Sequence, residues 1–419
     1  MKWYILSAAG MALFLSGLVQ PTLAGDWPQF RGPRGQGHSD ATGLPREWSE
    51  TQNVAFKTPI AGLGWSSPSL QGNQIWLTTA LDNGHSLRAV CLDRQSGDII
   101  HDVEVFAPAE PGAIHKKNSH ASPTPLIDAD KVYVHYGAHG TACLSTDGKI
   151  AWKTNELKYK HQHGPAGSPV VWKDLLILNC DGVDVQFVVA LDKRTGTVVW
   201  KSPREHISEA RKKGQSNAPM AYSTPILIEV AGQTQLITAG SDQISALDPA
   251  TGREIWWFNY DGYSNVLRPV FGHGMVFTSS GYDNPVFYAI RVGGQGDVTQ
   301  THEAWTMKKA APLDPSPLLV GDELYLISNS GICTCLNAVS GEKHWQQRLG
   351  GEYSASPVFA DGLIYVLDEE GTATVFKAGK EFEKIGENKL PGRTLASIVP
   401  VDHAIFLRTD THLYRIEAK

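Results

Sequence analysis

The residues best suited to bind a ligand are those that break a repeating pattern. A small or hydroxyl-bearing residue recurs before a Pro that begins an apolar strand, and the copies are Ser67, Ser122, Ser168, Thr224, Arg268, Ser316 and Ser356. Arg268 is the exception, because it places a cation where the other copies carry a hydroxyl. The residues two positions earlier lie on the same face of an extended chain and are Trp65, His120, Ala166, Tyr222, Val266, Asp314 and Ser354.

These positions predict a binding site where the innermost strands of the repeats meet. His120, Tyr222, Arg268 and Asp314 carry groups that bind an anionic or polar ligand, and Trp65 and Tyr222 can stack on a planar ring. The alternative interpretation is that Arg268 and Asp314 pair with each other and neutralise a partly buried charge.

Histidines are concentrated in one part of the chain, and they raise the question of a metal site. The cluster consists of His115, His120, His135, His139, His161 and His163. His161 and His163 point the same way if their segment is extended, which makes them weak candidates for zinc or copper ligands. A third ligand does not follow from the spacing, and ordinary loop histidines beside a polar channel explain the cluster as well.

Sequence signatures of catalysis and of nucleic-acid binding are missing from the chain. There is no Gly-x-Ser-x-Gly elbow, no His-Glu-x-x-His pair and no phosphate-binding Gly loop framed by a strand and a helix. The formal net charge is -6, and the two signs are interspersed. Binding to nucleic-acid phosphates is therefore disfavoured.

A hairpin repeat must position the candidate residues. Three close copies share a strand, a turn that ends in Gly, and an outgoing strand with Trp, and they span residues 190–200, 246–256 and 335–345. Looser copies begin at Cys91 and Cys143. Asp or Asn bonds the turn backbone, Gly supplies a positive φ, and the Trp is an apolar plate that only a neighbouring sheet can bury.

Stacked sheets of this kind predict an all-β, eight-bladed β-propeller. An eighth strand start without the Pro lies near Ser397, and the last copy lacks an outgoing strand. Residues 53–59 resemble residues 150–154, so we expect the N-terminal strand to complete the last blade and close the ring. Seven blades is the alternative count.

The five cysteines are interpreted as packing residues, since Cys91, Cys143 and Cys335 fall where other copies have Ala.

The hairpins resemble the PQQ-like (pyrroloquinoline quinone) repeat, with its Ala-Leu-Asp strand, Thr-Gly turn and Trp exit. The size and layout are similar to the BamB-like propellers, and the start Asp26-Trp27-Pro28-Gln29-Phe30-Arg31-Gly32-Pro33 is similar to that of exported bacterial proteins of this type. The resemblance implies a binding or scaffold module for a protein, peptide or polymer. As an alternative it implies a PQQ-dependent oxidoreductase, with calcium beside the quinone. The chain lacks the adjacent cysteines of the quinoprotein alcohol dehydrogenases and the lipid-accepting Cys of BamB.

The first residues predict export. Lys2, an apolar run and a small-residue ending at Ala24 form a secretory signal peptide over residues 1–24, which leaves a propeller over residues 25–419. We expect a periplasmic or secreted protein, monomeric and without a stable membrane anchor. The long insertions at 103–119 and 204–218 are the candidate binding loops.

Overall fold

The computed structural model describes residues 25–418, so the expected signal peptide lies outside the described residues. Eight antiparallel sheets follow one another around a ring. Seven of them have four strands, and the fourth blade has a short fifth strand that pairs in parallel at its edge. The predicted eight-bladed β-propeller is therefore confirmed, and the alternative count of seven is wrong. Among the described residues, no helix is long and apolar enough to cross a membrane.

The strands are numbered in chain order, and β1 (Val54–Pro59) belongs to the last blade. Blade 1 contains β2 (Ser69–Gln71), β3 (Gln74–Leu81), β4 (Ser86–Asp93) and β5 (Ile99–Phe106). Blade 2 contains β6 (Leu126–Asp128), β7 (Lys131–His135), β8 (Thr141–Ser145) and β9 (Ile150–Thr154). Blade 3 contains β10 (Val170–Trp172), β11 (Leu175–Asp181), β12 (Gln186–Asp192) and β13 (Val198–Pro203). Blade 4 contains β14 (Ile226–Val230), β15 (Gln233–Gly240), β16 (Gln243–Leu247) and β17 (Glu254–Asn259).

The second half of the ring repeats this layout. Blade 5 contains β18 (Val270–Gly272), β19 (Met275–Ser279), β20 (Phe287–Arg291) and β22 (Glu303–Met307), and β21 (Gly296–Asp297) joins the edge of blade 4. Blade 6 contains β23 (Leu318–Val320), β24 (Glu323–Ile327), β25 (Ile332–Asn337) and β26 (Lys343–Arg348). Blade 7 contains β27 (Val358–Ala360), β28 (Leu363–Leu367), β29 (Thr372–Lys377) and β30 (Lys384–Lys389). Blade 8 contains β31 (Val399–Val401), β32 (Ala404–Arg408) and β33 (His412–Glu417). Short helical turns are Asp82–Gly84, Gly137–His139 and α1 (Glu209–Lys212).

The ring is closed by backbone pairing between distant parts of the chain. Strand β1 lies antiparallel to β33, with Lys57 opposite Tyr414 and Thr58 opposite Leu413. An ion pair from Arg94 to Asp402 also links blade 1 to blade 8. Closure by the N-terminal strand is confirmed, and it removes an edge that would otherwise expose unpaired backbone groups.

Four tryptophans of the repeat touch the turn of the following blade, namely Trp152, Trp200, Trp305 and Trp345, whereas Trp256 donates to Gln235 of its own blade at 3.1 Å. The Trp152 ring lies over Gly196, where an added Cβ would come within 2.5 Å of the ring, and its Nε1 donates to the Lys193 carbonyl at 3.0 Å. Trp200 donates in the same way to the Pro249 carbonyl at 3.1 Å. The turn Gly therefore serves two needs, since its φ is positive (+74° at Gly196) and it leaves room for the ring.

The five cysteines are free and buried. Cys91, Cys143 and Cys335 lie opposite His101, Trp152 and Trp345 on the outgoing strands, as Ala190 lies opposite Trp200. Their interpretation as small apolar packing residues is confirmed, and burial raises the pKa of the Cys143 thiol to about 11.

Candidate binding cavity

A circle of hydrogen bonds joins the innermost strands around the central channel. In each link, the backbone N–H of one blade donates to the side-chain hydroxyl of the next blade at 2.9–3.1 Å. The hydroxyl residues are Ser67, Thr124, Ser168, Thr224, Ser316, Ser356 and Ser397, which we call the hydroxyl ring. Arg268 occupies the remaining position, so the Thr224 amide has no hydroxyl to donate to, and no other acceptor for it is found among the described residues.

The hydroxyl ring corrects the register of the second repeat. Its member in blade 2 is Thr124, before Pro125 and β6, and not Ser122 before Pro123. The residue two positions earlier is therefore Ser122, and His120 is displaced from the site. The sequence contained the signal, because in the other copies the marker Pro is followed directly by the strand.

A cavity of about 890 Å³ lies above the hydroxyl ring. All members of the ring line it, together with the tier two residues earlier: Trp65, Ser122, Ala166, Tyr222, Val266, Asp314, Ser354 and Leu395. Of the predicted site residues, Trp65, Tyr222 and Asp314 line this cavity, whereas His120 and Arg268 do not. The sequence pattern did not indicate Phe30, Lys117 or Asn329, which also line it.

The lower end of the channel is sealed by residues 26–42, which we call the plug segment. This segment crosses from Trp27, paired with Leu70 of blade 1, to Thr42, whose amide donates to the Asp402 carbonyl beside blade 8 at 3.0 Å. On the way, Gln36 accepts a hydrogen bond from the Phe271 amide of blade 5 at 2.8 Å. Phe30 reaches the cavity from below, so the channel is open at one face and blind at the other.

Arg268 lies at this seal rather than in the open cavity. Its Nη1 donates to the Phe30 carbonyl at 2.6 Å, and its Nε donates to the Pro225 carbonyl at 3.1 Å. Asp314 instead accepts hydrogen bonds from Asn329 at 2.6 Å and from Ser354 at 3.3 Å. The two residues do not pair, so their mutual neutralisation, the alternative raised by the sequence, does not occur.

One side of the cavity carries a charged network. Lys117 bridges Glu352 and Glu369, at 2.9 Å from each, and Arg393 lies 3.3 Å from Glu369. Burial disfavours ionisation of Glu369, but the hydrogen bonds from Ser354 and Lys117 outweigh burial and lower its pKa. Burial raises the pKa of Asp314, which meets mainly neutral donors.

Two aromatic residues of the cavity wall combine an apolar ring with a polar atom that has no hydrogen-bond partner. Trp65 is 7% exposed, and its Nε1 has no hydrogen-bond partner among the described residues. The Arg393 guanidinium lies 5.8 Å from the centre of the Trp65 ring. The Tyr222 hydroxyl is also buried without a partner. Such groups can bind an apolar body that carries a few hydrogen-bonding atoms.

The two weak metal candidates have different surroundings. His161 packs edge-on against Tyr159 at 4.9 Å and is half-buried, and desolvation lowers its pKa to about 4. His163 packs against His115 at 5.3 Å and lines the cavity mouth. Across residues 25–418, no group of three His, Cys, Asp or Glu side chains forms a cluster that could hold a metal ion. The buried His120 ring does not line the cavity, and its centre lies 6.2 Å from the centre of the His139 ring.

Both long insertions reach the cavity mouth. Residues 115–118 line it from the first insertion, and Asn217 and Ala218 line it from the second. The first insertion contacts blades 7 and 8, because Lys117 forms an ion pair with Glu352 and the Lys116 carbonyl accepts a hydrogen bond from Arg393 at 2.8 Å. In the second insertion, Asn217 donates to Asp283 at 3.2 Å.

Comparison with known proteins places this architecture in a family. The family model described as outer membrane protein assembly factor BamB matches residues 48–203, 184–292 and 294–381. The chain belongs to this PQQ-like repeat family. Comparison with curated protein sequences gives no match.

Several solved structures share the fold at low sequence identity. BamB from Moraxella catarrhalis superimposes with a TM-score of 0.57 and 13% identity, covering 87% of this chain and 98% of that one. Quinohemoprotein alcohol dehydrogenase from Comamonas testosteroni gives 0.66 and 12%, covering 94% and 81%. A europium-containing methanol dehydrogenase gives 0.67 and 12%, covering 92% and 90%.

The fold shared with these dehydrogenases raises the question of whether the cavity fits a quinone, which has a planar ring and several carboxylates. Trp65 and Tyr222 offer ring contacts, but two Arg268 donors are already used by carbonyls at the seal. The lysines among the lining residues are Lys116 and Lys117, and Lys117 is paired with two carboxylates. The described lining therefore fits a tricarboxylate poorly.

Proposed function

We propose that this protein is an extracytoplasmic binding or scaffold propeller, which holds a segment of a protein, peptide or polymer partner in its blind cavity. The observation that carries the proposal is the cavity itself, which has one mouth, two long loops at that mouth and a mixed lining. Pockets with apolar walls and a few placed polar groups are typical of ligand sites. The PQQ-like family, whose model is described by an assembly factor, supports the same role.

The chemistry of the walls suggests how a segment is held. Trp65 and Tyr222 supply apolar area at the tier above the hydroxyl ring. Asp314, Asn329 and the network around Lys117 supply hydrogen bonds and charges of both signs. An occupant with an apolar body and alternating polar groups, such as an extended peptide or a glycan, matches this division.

A cavity-filling variant tests the proposal. Ala166→Trp places a large ring on the cavity wall, and Val339→Trp adds the same ring at an exposed position in the β25–β26 turn, outside the lining. Both proteins, with the unmodified chain, are applied to arrays of peptides and bacterial polysaccharides, and positive ligands are titrated by calorimetry. We expect Ala166→Trp to abolish binding and Val339→Trp to retain it. Equal binding by both variants, or no binding by the unmodified chain, contradicts the proposal.

The alternative function is a quinone-dependent oxidoreductase. The observations in its favour are the shared fold and the aromatic residues on the cavity wall. The protein is incubated with PQQ and calcium, desalted and examined by absorbance, and then assayed for reduction of an artificial electron acceptor with alcohols or sugars. Retained quinone and turnover would replace the binding proposal, and loss of all quinone on desalting would remove the alternative.

A further inference from the structure

The sealed end of the channel contains more buried positive charge than its surroundings neutralise. Arg31 and Arg268 are 1% and 2% exposed. Among residues 25–418, no carboxylate lies within ion-pair distance of either guanidinium. An uncompensated buried charge is strongly destabilising, whereas a buried charge with a counter-ion is tolerated.

The two guanidiniums occupy neighbouring places at the bottom of the ring. Arg268 donates to the carbonyl of Pro225 in blade 4, and Arg31 donates to the carbonyl of Pro317 in blade 6 at 2.7 Å, so they flank blade 5 from both sides. The backbone of Phe30 connects them, because its carbonyl accepts from Arg268 and the next residue is Arg31. Burial and the charge of Arg268 together lower the pKa of Arg31 to about 9.

Hydrogen-bond donors without acceptors lie beside both arginines. Arg31 Nε and Nη1 are buried without an acceptor among the described residues. The Thr224 amide is the one link of the hydroxyl ring that lacks its acceptor, and it precedes the Pro225 carbonyl bonded by Arg268. Buried polar groups in native proteins nearly always have partners, so donors without acceptors beside unpaired cations indicate a missing acceptor with negative charge.

We propose that this end of the channel binds a small monovalent anion between Arg31 and Arg268, as either a halide or a carboxylate group. The anion accepts hydrogen bonds from the unpartnered Nε and Nη1 of Arg31 and acts as the counter-ion of the plug segment. This proposal does not depend on the occupant of the open cavity, so a failed search for a peptide or polymer partner leaves it standing.

Anion-dependent stability tests the proposal. Thermal midpoints of the full chain are measured while chloride, bromide or acetate replaces isethionate at constant ionic strength. We expect the midpoint to rise with anion concentration and to level off as one site saturates. A rise with the halides alone assigns a halide, and a rise with acetate as well assigns a carboxylate site. Equal midpoints in all four salts overturn the proposal.

Two variants and one diffraction measurement locate the site. Arg268→Ser restores a hydroxyl to the circle and should remove the anion dependence. Ser168→Ala opens the circle at another link without changing either arginine, and it should keep the dependence at a lower midpoint. Crystals of the unmodified chain grown with bromide should show an anomalous peak within hydrogen-bonding distance of both guanidiniums, which keeps the test valid if a variant fails to fold. Bromide found only on the outer surface, or unchanged anion dependence in Arg268→Ser, refutes the proposal.

Discussion

The contact between Trp152 and the turn of the next blade makes a quantitative prediction for Gly196→Ala. An added Cβ would lie 2.5 Å from the Trp152 ring, although carbon atoms in contact normally stay about 3.5 Å apart, so the ring must move by about 1 Å. A positive φ alone costs an L-residue about 1–2 kcal/mol. Overpacking adds about 1–3 kcal/mol, and the displaced ring weakens its hydrogen bond to Lys193.

A matched glycine separates these two costs. Gly274 has nearly the same φ, +69° against +74°, but an added Cβ there meets nothing within 4 Å. Guanidinium denaturation midpoints of both Ala variants are compared with that of the unmodified chain, and Gly196→Ala should lose about 1–3 kcal/mol more than Gly274→Ala. Trp152→Leu should reduce this excess in the double variant. Equal losses at the two glycines would refute stacking of the ring on the turn as the reason for Gly196.

Three further predictions concern the rest of the ring. Deleting residues 53–59 exposes the outer edge of β33, so the truncated chain should aggregate at concentrations where the full chain stays monodisperse in light scattering. Burial lowers the pKa of His135 to about 3, so the unfolded chain takes up this proton before the folded protein does, and the free energy of unfolding falls by up to about 1.4 kcal/mol per pH unit between pH 6.5 and pH 3. In urea titrations, His135→Gln should make the free energy of unfolding fall less steeply between pH 7 and pH 5. An unchanged slope contradicts this prediction. The buried cysteines should not react with a thiol reagent until denaturant is added, and a thiol titrated in the native protein would show that burial is incomplete.

The repeat allowed the fold to be predicted because its signals are local. Asp192 and Gly196 specify a turn within a few residues, and the Trp200 plate requires a neighbouring sheet. Closure also followed from the sequence, since residues 53–59 resemble an outgoing strand that the last copy lacks. These inferences need only the chemistry of one hairpin and the rule that its apolar face must be covered.

The candidate site was predictable only in part, because it depends on contacts between distant segments. The tier that contains Trp65, Tyr222 and Asp314 follows from strand periodicity. His120 was misplaced, because the sequence Ser-Pro-Thr-Pro offers two registers. The correct register is the one in which the Pro is followed directly by the strand, as in the other copies, and it puts Thr124 in the hydroxyl ring. No periodic signal connects Phe30 with Arg268, which lie 238 residues apart.

The plug segment also determines at what stage of folding the lower end of the channel can close. Its last anchor lies beside Asp402, so a partly folded chain, in which blade 8 has not yet formed, has no complete surface on which this segment can dock. The folded molecule has a channel with a single mouth, so any bound molecule must dissociate by the path through which it entered. The loops at the mouth therefore affect both the association rate and the dissociation rate.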